Sequence, residues 1–225
     1  MSLNEAQAVI FDMDGVLINS EPVWQQAELE VLPKYGVPLT YEDTLMTTGM
    51  RVDLLVDYWH QRYPWTNYDN NQVSQQLVTA VVDFIHRDGQ PMNGVIDALS
   101  FCQRQGFKIG LATSSPMVLV DAVLDTLNIR HYFEAIKSAE KLAYGKPHPE
   151  VYLNCASELG VDPSRCVAIE DSFNGLIAAR AASMQTIAIP AKEQQQQSRW
   201  VIAHEQLEDL TQLASVFMAG AVTIE

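Results

Sequence analysis

Apolar positions along the chain change period twice. The first run, "AVIF" at 8–11, is short and unbroken, the pattern of a strand buried on both faces. Helical spacing then takes over. Ser20 stands where a helix cap belongs, with Pro22 in the first turn. Trp24, Ala27 and Val31 follow on one face, and Val52, Leu55, Val56 and Trp59 repeat the pattern. So do Val73, Leu77, Ala80, Val81 and Phe84. Residues 17–87 read as helices with no convincing strand. From Met92 onward the signal alternates. The spacing predicts a helix over 95–105 closed by Gly106, a strand over 108–112 and a helix over 118–127. It then predicts a strand over 134–138, a helix over 149–159, a strand over 166–170 and a helix over 172–182. A strand over 185–189 and a last helix over 205–217 complete the chain. Strands alternating with helices imply an α/β fold: a doubly wound parallel sheet with helices on both faces. The all-helical stretch is then an insert. The expected organisation is a core of 1–16 and 88–225 with a helical cap domain of 17–87.

Composition narrows this picture. A chain of 225 residues, 48% of them hydrophobic, can bury a core of that kind and is not a disordered protein. No run of about 18 uncharged apolar residues suggests a membrane span, and the start lacks a basic-then-apolar signal. The 14 Lys and Arg against 28 Asp and Glu give a net charge of -14, which argues against nucleic acid or an anionic membrane as partner. Cys102, Cys155 and Cys166 are odd in number and fit no zinc spacing. They read as reduced core thiols, and a cytoplasmic location follows. The run Gln194–Gln197 reads as a solvated loop.

In open parallel sheets, ligands bind beyond the carboxyl ends of the strands. There the sequence places Asp12 and Asp14 after the first strand, and Thr113, Ser114 and Ser115 after the second. Lys146 lies in the loop after the third strand, and Glu170–Asp171 close the fourth. Alternation along a strand lets Asp12 and Asp14 point one way while Met13 points back. Two such charges at about 4 Å repel by roughly 4 kcal/mol at an effective dielectric near 20. A hard dication, usually Mg2+, would offset them, and Lys146 adds a fixed charge. Thr113 and the N–H groups of Met13, Asp14 and Ser114 can donate to a phosphate. One carboxylate could attack phosphorus to form an aspartyl-phosphate while the other moves the proton. Spacing alone does not say which does which. Each piece also has a plain structural reading: a D-x-D-G turn, a solvated lysine, a serine turn, and helix capping by Asp171 or Ser172. Those readings do not predict four pieces at four strand ends of one sheet.

"DMDGVL", "LATSS", "GKPHPE" and "EDSFNG" resemble the four ordered motifs of the haloacid dehalogenase superfamily. The helical stretch after the first motif resembles its helical-cap branch. "SEPVWQQAELEV", "PHPEVYLNCA" and the segment around Gly49–Arg51 are similar to those of its bacterial sugar phosphatases, which act on 2-deoxyglucose 6-phosphate and hexitol phosphates. The resemblance implies Asp12 as nucleophile and Asp14 as general acid/base. It implies Thr113, Ser114 and Lys146 as the phosphate-binding groups. Mg2+, with Mn2+ or Co2+ tolerated, would be held by Asp12, Asp171, Glu170 and the Asp14 carbonyl. It further implies a Mg2+-dependent phosphatase acting as a monomer on a small phosphorylated sugar or sugar alcohol. Gly175 would allow a close approach in the first helical turn. Trp24, Thr48, Gly49 and Arg51 are candidates to face the substrate; Trp24 fits a cap core equally, and Arg51 fits a structural ion pair better.

Related β-phosphoglucomutases carry a histidine where Trp24 falls by spacing, so a mutase is the nearest rival. A dehalogenase has no use for the acid at Asp14. A phospho-receiver module would not need the helical insert.

Overall fold

The computed structural model describes residues 5–219. The outer ends of the expected core, 1–4 and 220–225, lie outside the described residues. Six strands form one parallel sheet: β1 (Ala8–Phe11), β2 (Lys108–Thr113), β3 (Ala135–Ser138), β4 (Cys166–Glu170), β5 (Gln185–Ala188) and β6 (Glu205–Gln206). Their order is β3-β2-β1-β4-β5-β6. The chain therefore builds outward from β1 in one direction, then returns to β1 and builds in the other. Such a reversal opens a crevice at the carboxyl end of the central strand. Phe11 lies level with Leu111 and with Ile169, and Asp12 donates its N–H to the Ile169 carbonyl at 3.0 Å. Asp12 is thus the first residue past the buried row.

Alternation along β1 divides the core. Val9 and Phe11 join Leu111, Val167 and Ile169 in a large apolar cluster on one face. Ala8 and Ile10 join Ala112, Ala168, Tyr152 and Cys155 on the other. Here α7 (Glu150–Leu159) lies close because the sheet side chains are small. A Cβ on Gly110 would come within 2.5 Å of the Cys155 sulfur.

Four helices fill the stretch between β1 and the second strand's own helix: α1 (Glu21–Val31), α2 (Tyr41–Thr44), α3 (Val52–Arg62) and α4 (Asn70–Asp88). They form a helical cap. Then α5 (Val95–Arg104) returns the chain to the sheet, followed by α6 (Met117–Thr126) and later α8 (Phe173–Ala181). Helix α4 packs on α1 and α3, and also on α6 beside the sheet. Its Val73, Leu77, Val81 and Ile85 belong to the same apolar cluster as Phe11. The way out of the sheet and the way back run side by side. Ile18 bridges to both Asp14 and Pro91, and Met92 donates its N–H to the Leu17 carbonyl at 3.0 Å.

The parallel sheet with an inserted helical cap agrees with the sequence reading. The last element does not. Glu205–Gln206 pairs with Ile187–Ala188 as an edge strand, Leu210–Gln212 forms a 3-10 turn, and only Leu213–Ala219 is the helix α9. Leu207, Leu210, Leu213 and Phe217 are all buried at a spacing that imitates one longer helix. Asp209 breaks it by capping the turn, accepting the Thr211 N–H at 2.9 Å.

Gly110→Ala should lower stability by about 1–3 kcal/mol, because Cys155 cannot retreat from the added methyl group. Urea unfolding reads this; an unchanged midpoint would mean that α7 is loosely seated.

Candidate active site

The residues at the strand ends converge. Lys146, 5% exposed, donates its ammonium to Asp12 Oδ1 at 2.6 Å, to Glu170 Oε1 at 2.6 Å and to the Ala112 carbonyl at 3.0 Å. Tyr152, fully buried on α7, donates to the same Glu170 oxygen. The other oxygen, Glu170 Oε2, takes longer bonds from the Ser172 N–H at 3.4 Å and hydroxyl at 3.1 Å. Ser172 also caps α8, its hydroxyl accepting the Gly175 N–H at 3.1 Å. Gly175 is required here: a Cβ would lie 1.9 Å from Glu170 Oε1. Gly15 has a comparable duty. Its φ of 71° is the left-handed turn that follows Asp14, and a Cβ would lie 2.0 Å from Asp171 Oδ2.

Carboxylate oxygens of Asp12, Glu170 and Asp171 lie within 4.8 Å of one another. Burial pushes the Asp12 carboxyl well up, with Lys146 opposing and Glu170 and Asp14 adding to the rise. Burial likewise raises Asp171, and Asp12 and Glu170 raise it further. Burial alone would lower Lys146, but Asp12 and Glu170 outweigh it and keep the ammonium charged. One cation cannot balance the three acids gathered here, so the ammonium stays charged and the acids are left short of positive charge. An all-oxygen donor set with that deficit fits a hard dication.

Asp14 lines the same cleft but sits among neutral donors. Its Oδ1 accepts the Ser20 hydroxyl and the Trp24 indole N–H, the latter at 3.2 Å. Its Oδ2 accepts the Ser115 hydroxyl at 2.6 Å. Ser20 stands before α1 as expected, yet its hydroxyl serves Asp14 and makes no cap bond. Met13 between the two acids is buried in the apolar cluster with Phe11.

Thr113, 1% exposed, accepts the Ser115 N–H at 3.0 Å, which leaves its own proton to donate. Ser114 also lines the cleft, and its Oγ is buried with no partner. All seven sequence-predicted site residues lie in this region, and all but Glu170 line the cleft itself. Trp24, Thr48 and Gly49 line it too. Arg51 does not; it pairs with Asp53 at 2.6 Å and donates to the Ala139 and Leu142 carbonyls at 2.9 and 2.7 Å. Sequence reasoning missed Ser20 and Ser115 as partners of Asp14, and Tyr152 as partner of Glu170. It also missed the polar lining from α1, Glu21, Gln25 and Glu28.

Glu28 is 2% exposed and accepts the Trp59 indole N–H at 2.9 Å. Thr47 Oγ lies 2.9 and 3.0 Å from its two oxygens and 2.9 Å from the Thr44 carbonyl. Thr47 is the donor in these contacts, and its one proton is shared between the Glu28 carboxyl and that carbonyl. Burial, partly offset by Trp59 and Thr47, pushes Glu28 up to about 7.

These features define a capped α/β enzyme of the haloacid dehalogenase type. The chain belongs to the haloacid dehalogenase-like hydrolases, whose family model matches residues 6–183. It is 44% identical over 214 residues to Hexitol phosphatase B of Escherichia coli (strain K12), covering 95% of this chain and 96% of that one. It is 30% identical over 184 residues to Fructose-1-phosphate phosphatase YqaB of the same strain, covering 80% and 95%. In fold it is similar to a β-phosphoglucomutase from Clostridium difficile, with a TM-score of 0.82, 23% identity, and coverage of 96% and 99%.

Glu28 sets a pH dependence whose sign follows from its raised value. The native state keeps the proton that the unfolded chain gives up above about 4.5, so stability falls as pH rises through about 7. Glu28→Gln should remove a loss on the order of 2 kcal/mol between pH 5 and 8. Urea midpoints across that range read the effect; parallel slopes for both proteins would show that Glu28 does not titrate there.

Proposed function

We propose that this enzyme hydrolyses monophosphate esters of small polyhydroxy compounds, of the 2-deoxyglucose 6-phosphate and hexitol phosphate kind, with Mg2+ and through an aspartyl-phosphate. The chain is a phosphoric monoester hydrolase. The substrate, the metal and the assignment of roles are the proposal. One observation carries the roles: two carboxylates with a single residue between them sit in unlike surroundings. Asp12 lies against the Lys146 ammonium and beside Asp171, whereas Asp14 is held by three uncharged donors. Environments that differ in this way divide the work of an acid pair.

Asp12 attacks phosphorus through a carboxylate oxygen, and the bond from phosphorus to the sugar oxygen breaks. Asp14 gives its proton to that departing oxygen. Asp14 then takes a proton from water, the water oxygen attacks phosphorus, and the bond to Asp12 breaks. Thr113 donates its free hydroxyl proton, and Ser114 its N–H and unpaired hydroxyl, to the phosphoryl oxygens. Lys146 holds the nucleophile in place. Asp12, Asp171 and the Asp14 carbonyl would hold the dication, and Glu170 Oε2, whose bonds to Ser172 are long, can take a share. When bound, the ion supplies positive charge to the nucleophile and the phosphoryl oxygens.

In this reading 17–87 is a cap domain over a core of 1–16 and 88–225, and closing it excludes water. Transfer between two sugars, as in a mutase, is disfavoured: Trp24 occupies the place beside Asp14 and its indole cannot accept or pass a proton as imidazole does. The three buried free cysteines suit a reducing cytoplasm, where the enzyme works as a monomer. No helix among the described residues is long and apolar enough to cross a membrane.

Asp12→Asn should reduce phosphate release from glucitol 6-phosphate and 2-deoxyglucose 6-phosphate by at least about a thousandfold, with an unchanged melting temperature. EDTA should stop the wild-type reaction and Mg2+ should restore it. Wild-type turnover in Asp12→Asn would refute the nucleophile, and full activity without any dication would refute the metal.

A further inference from the structure

The cleft has two chemically different walls. One gathers the strand-end acids, hydroxyls and Lys146. The other is α1, where Glu21, Gln25 and Glu28 lie four and three residues apart and so share one helix face. At about 1.5 Å of rise per residue, that row is about 10 Å long. Gln25 is 3% exposed, and its Oε1 has no hydrogen-bond partner. Its Nε2 donates to Glu21 Oε1 at 3.4 Å, so the acceptor is the part left unmet. Among the described residues only four buried side-chain N or O atoms lack a partner, and two of them, Gln25 Oε1 and Ser114 Oγ, belong to residues that line this one cleft. Ser114 Oγ can donate, as a phosphoryl group requires. Gln25 Oε1 can only accept, as a ligand hydroxyl requires.

Charge agrees with this. Lys146 is the single basic side chain among the described residues lining the cleft, and it is already held by Asp12 and Glu170. Nothing that α1 contributes to the cleft could balance a second anion. Glu28 is fixed there by Trp59 and Thr47, and Glu21 accepts the Thr48 hydroxyl at 3.3 Å.

We propose that Glu21, Gln25 and Glu28 form an acceptor row that reads hydroxyl groups on the uncharged tail of the substrate and keeps out a second phosphate. This rests on the phosphatase reading above and assigns its selectivity to named side chains. Gln25 Oε1 gains the donor it lacks only when a hydroxylated ligand arrives.

An unmet buried acceptor destabilises the empty protein, so the test has two signs. Gln25→Met keeps the size and helix preference while removing the acceptor. It should raise the melting temperature of the ligand-free protein by about 2–4 °C. In the Asp12→Asn background with Mg2+, calorimetry should show affinity for glucitol 6-phosphate falling about fivefold with Gln25→Met, and that for propyl phosphate falling less than twofold. In the wild type, kcat/KM for fructose 1,6-bisphosphate should be at least tenfold below that for fructose 6-phosphate. A lower melting temperature with equal loss of affinity for both ligands marks a structural residue and overturns the proposal. So does no loss for either, and equal turnover of the two fructose esters overturns the exclusion. The binding comparison needs no turnover, so failure of the row and failure of the phosphatase reading are told apart.

Discussion

One ammonium group holds the site together. Lys146 reaches from the loop before α7 to the ends of β1 and β4, where Asp12 and Glu170 flank it at 2.6 Å each. Burying a charged group is costly unless it is paired, and here one cation serves two acids directly while Asp171 waits nearby. The surplus of negative charge is a design constraint. It makes the site unfavourable until more positive charge is supplied. Neutralising Lys146 would leave Glu170 with only Tyr152 and Ser172 for company and expose Asp12 to its acidic neighbours.

Much of this is legible in the amino-acid sequence. The strands of the sheet interior announce themselves as short apolar runs, because both faces are covered. Motifs at their ends then had only one edge on which to meet. What stayed hidden were contacts between residues far apart in the chain. Ser115 meets Asp14 across a separation of 101 positions, and nothing in "LATSSP" marks that serine above its neighbour. Tyr152 reads as one more apolar residue of an amphipathic helix. Gln25 and Glu28 read as solvated positions of α1, yet the cap turns that face inward over the cleft. The terminal error has a different origin: Glu205–Gln206 is a two-residue edge strand, both residues exposed, and carries no periodic signal at all.

Local steric allowances matter as much as the polar groups. Gly15 and Gly175 leave the space into which the Asp171 and Glu170 carboxylates fit. Replacing either glycine would displace an acid without touching its chemistry.

The pairing of Ile18 with Pro91 gives the molecule an evolutionary property. An insert that leaves and rejoins a scaffold at neighbouring points imposes little on that scaffold, since its two ends stay equally close whatever lies between them. The connections between α1 and α4 could be lengthened or shortened with β1 in place, provided that Trp24 keeps its bond to Asp14 and α4 its face on the apolar cluster of Phe11. Variation between those two anchor points then leaves the ends of the central strands where they are.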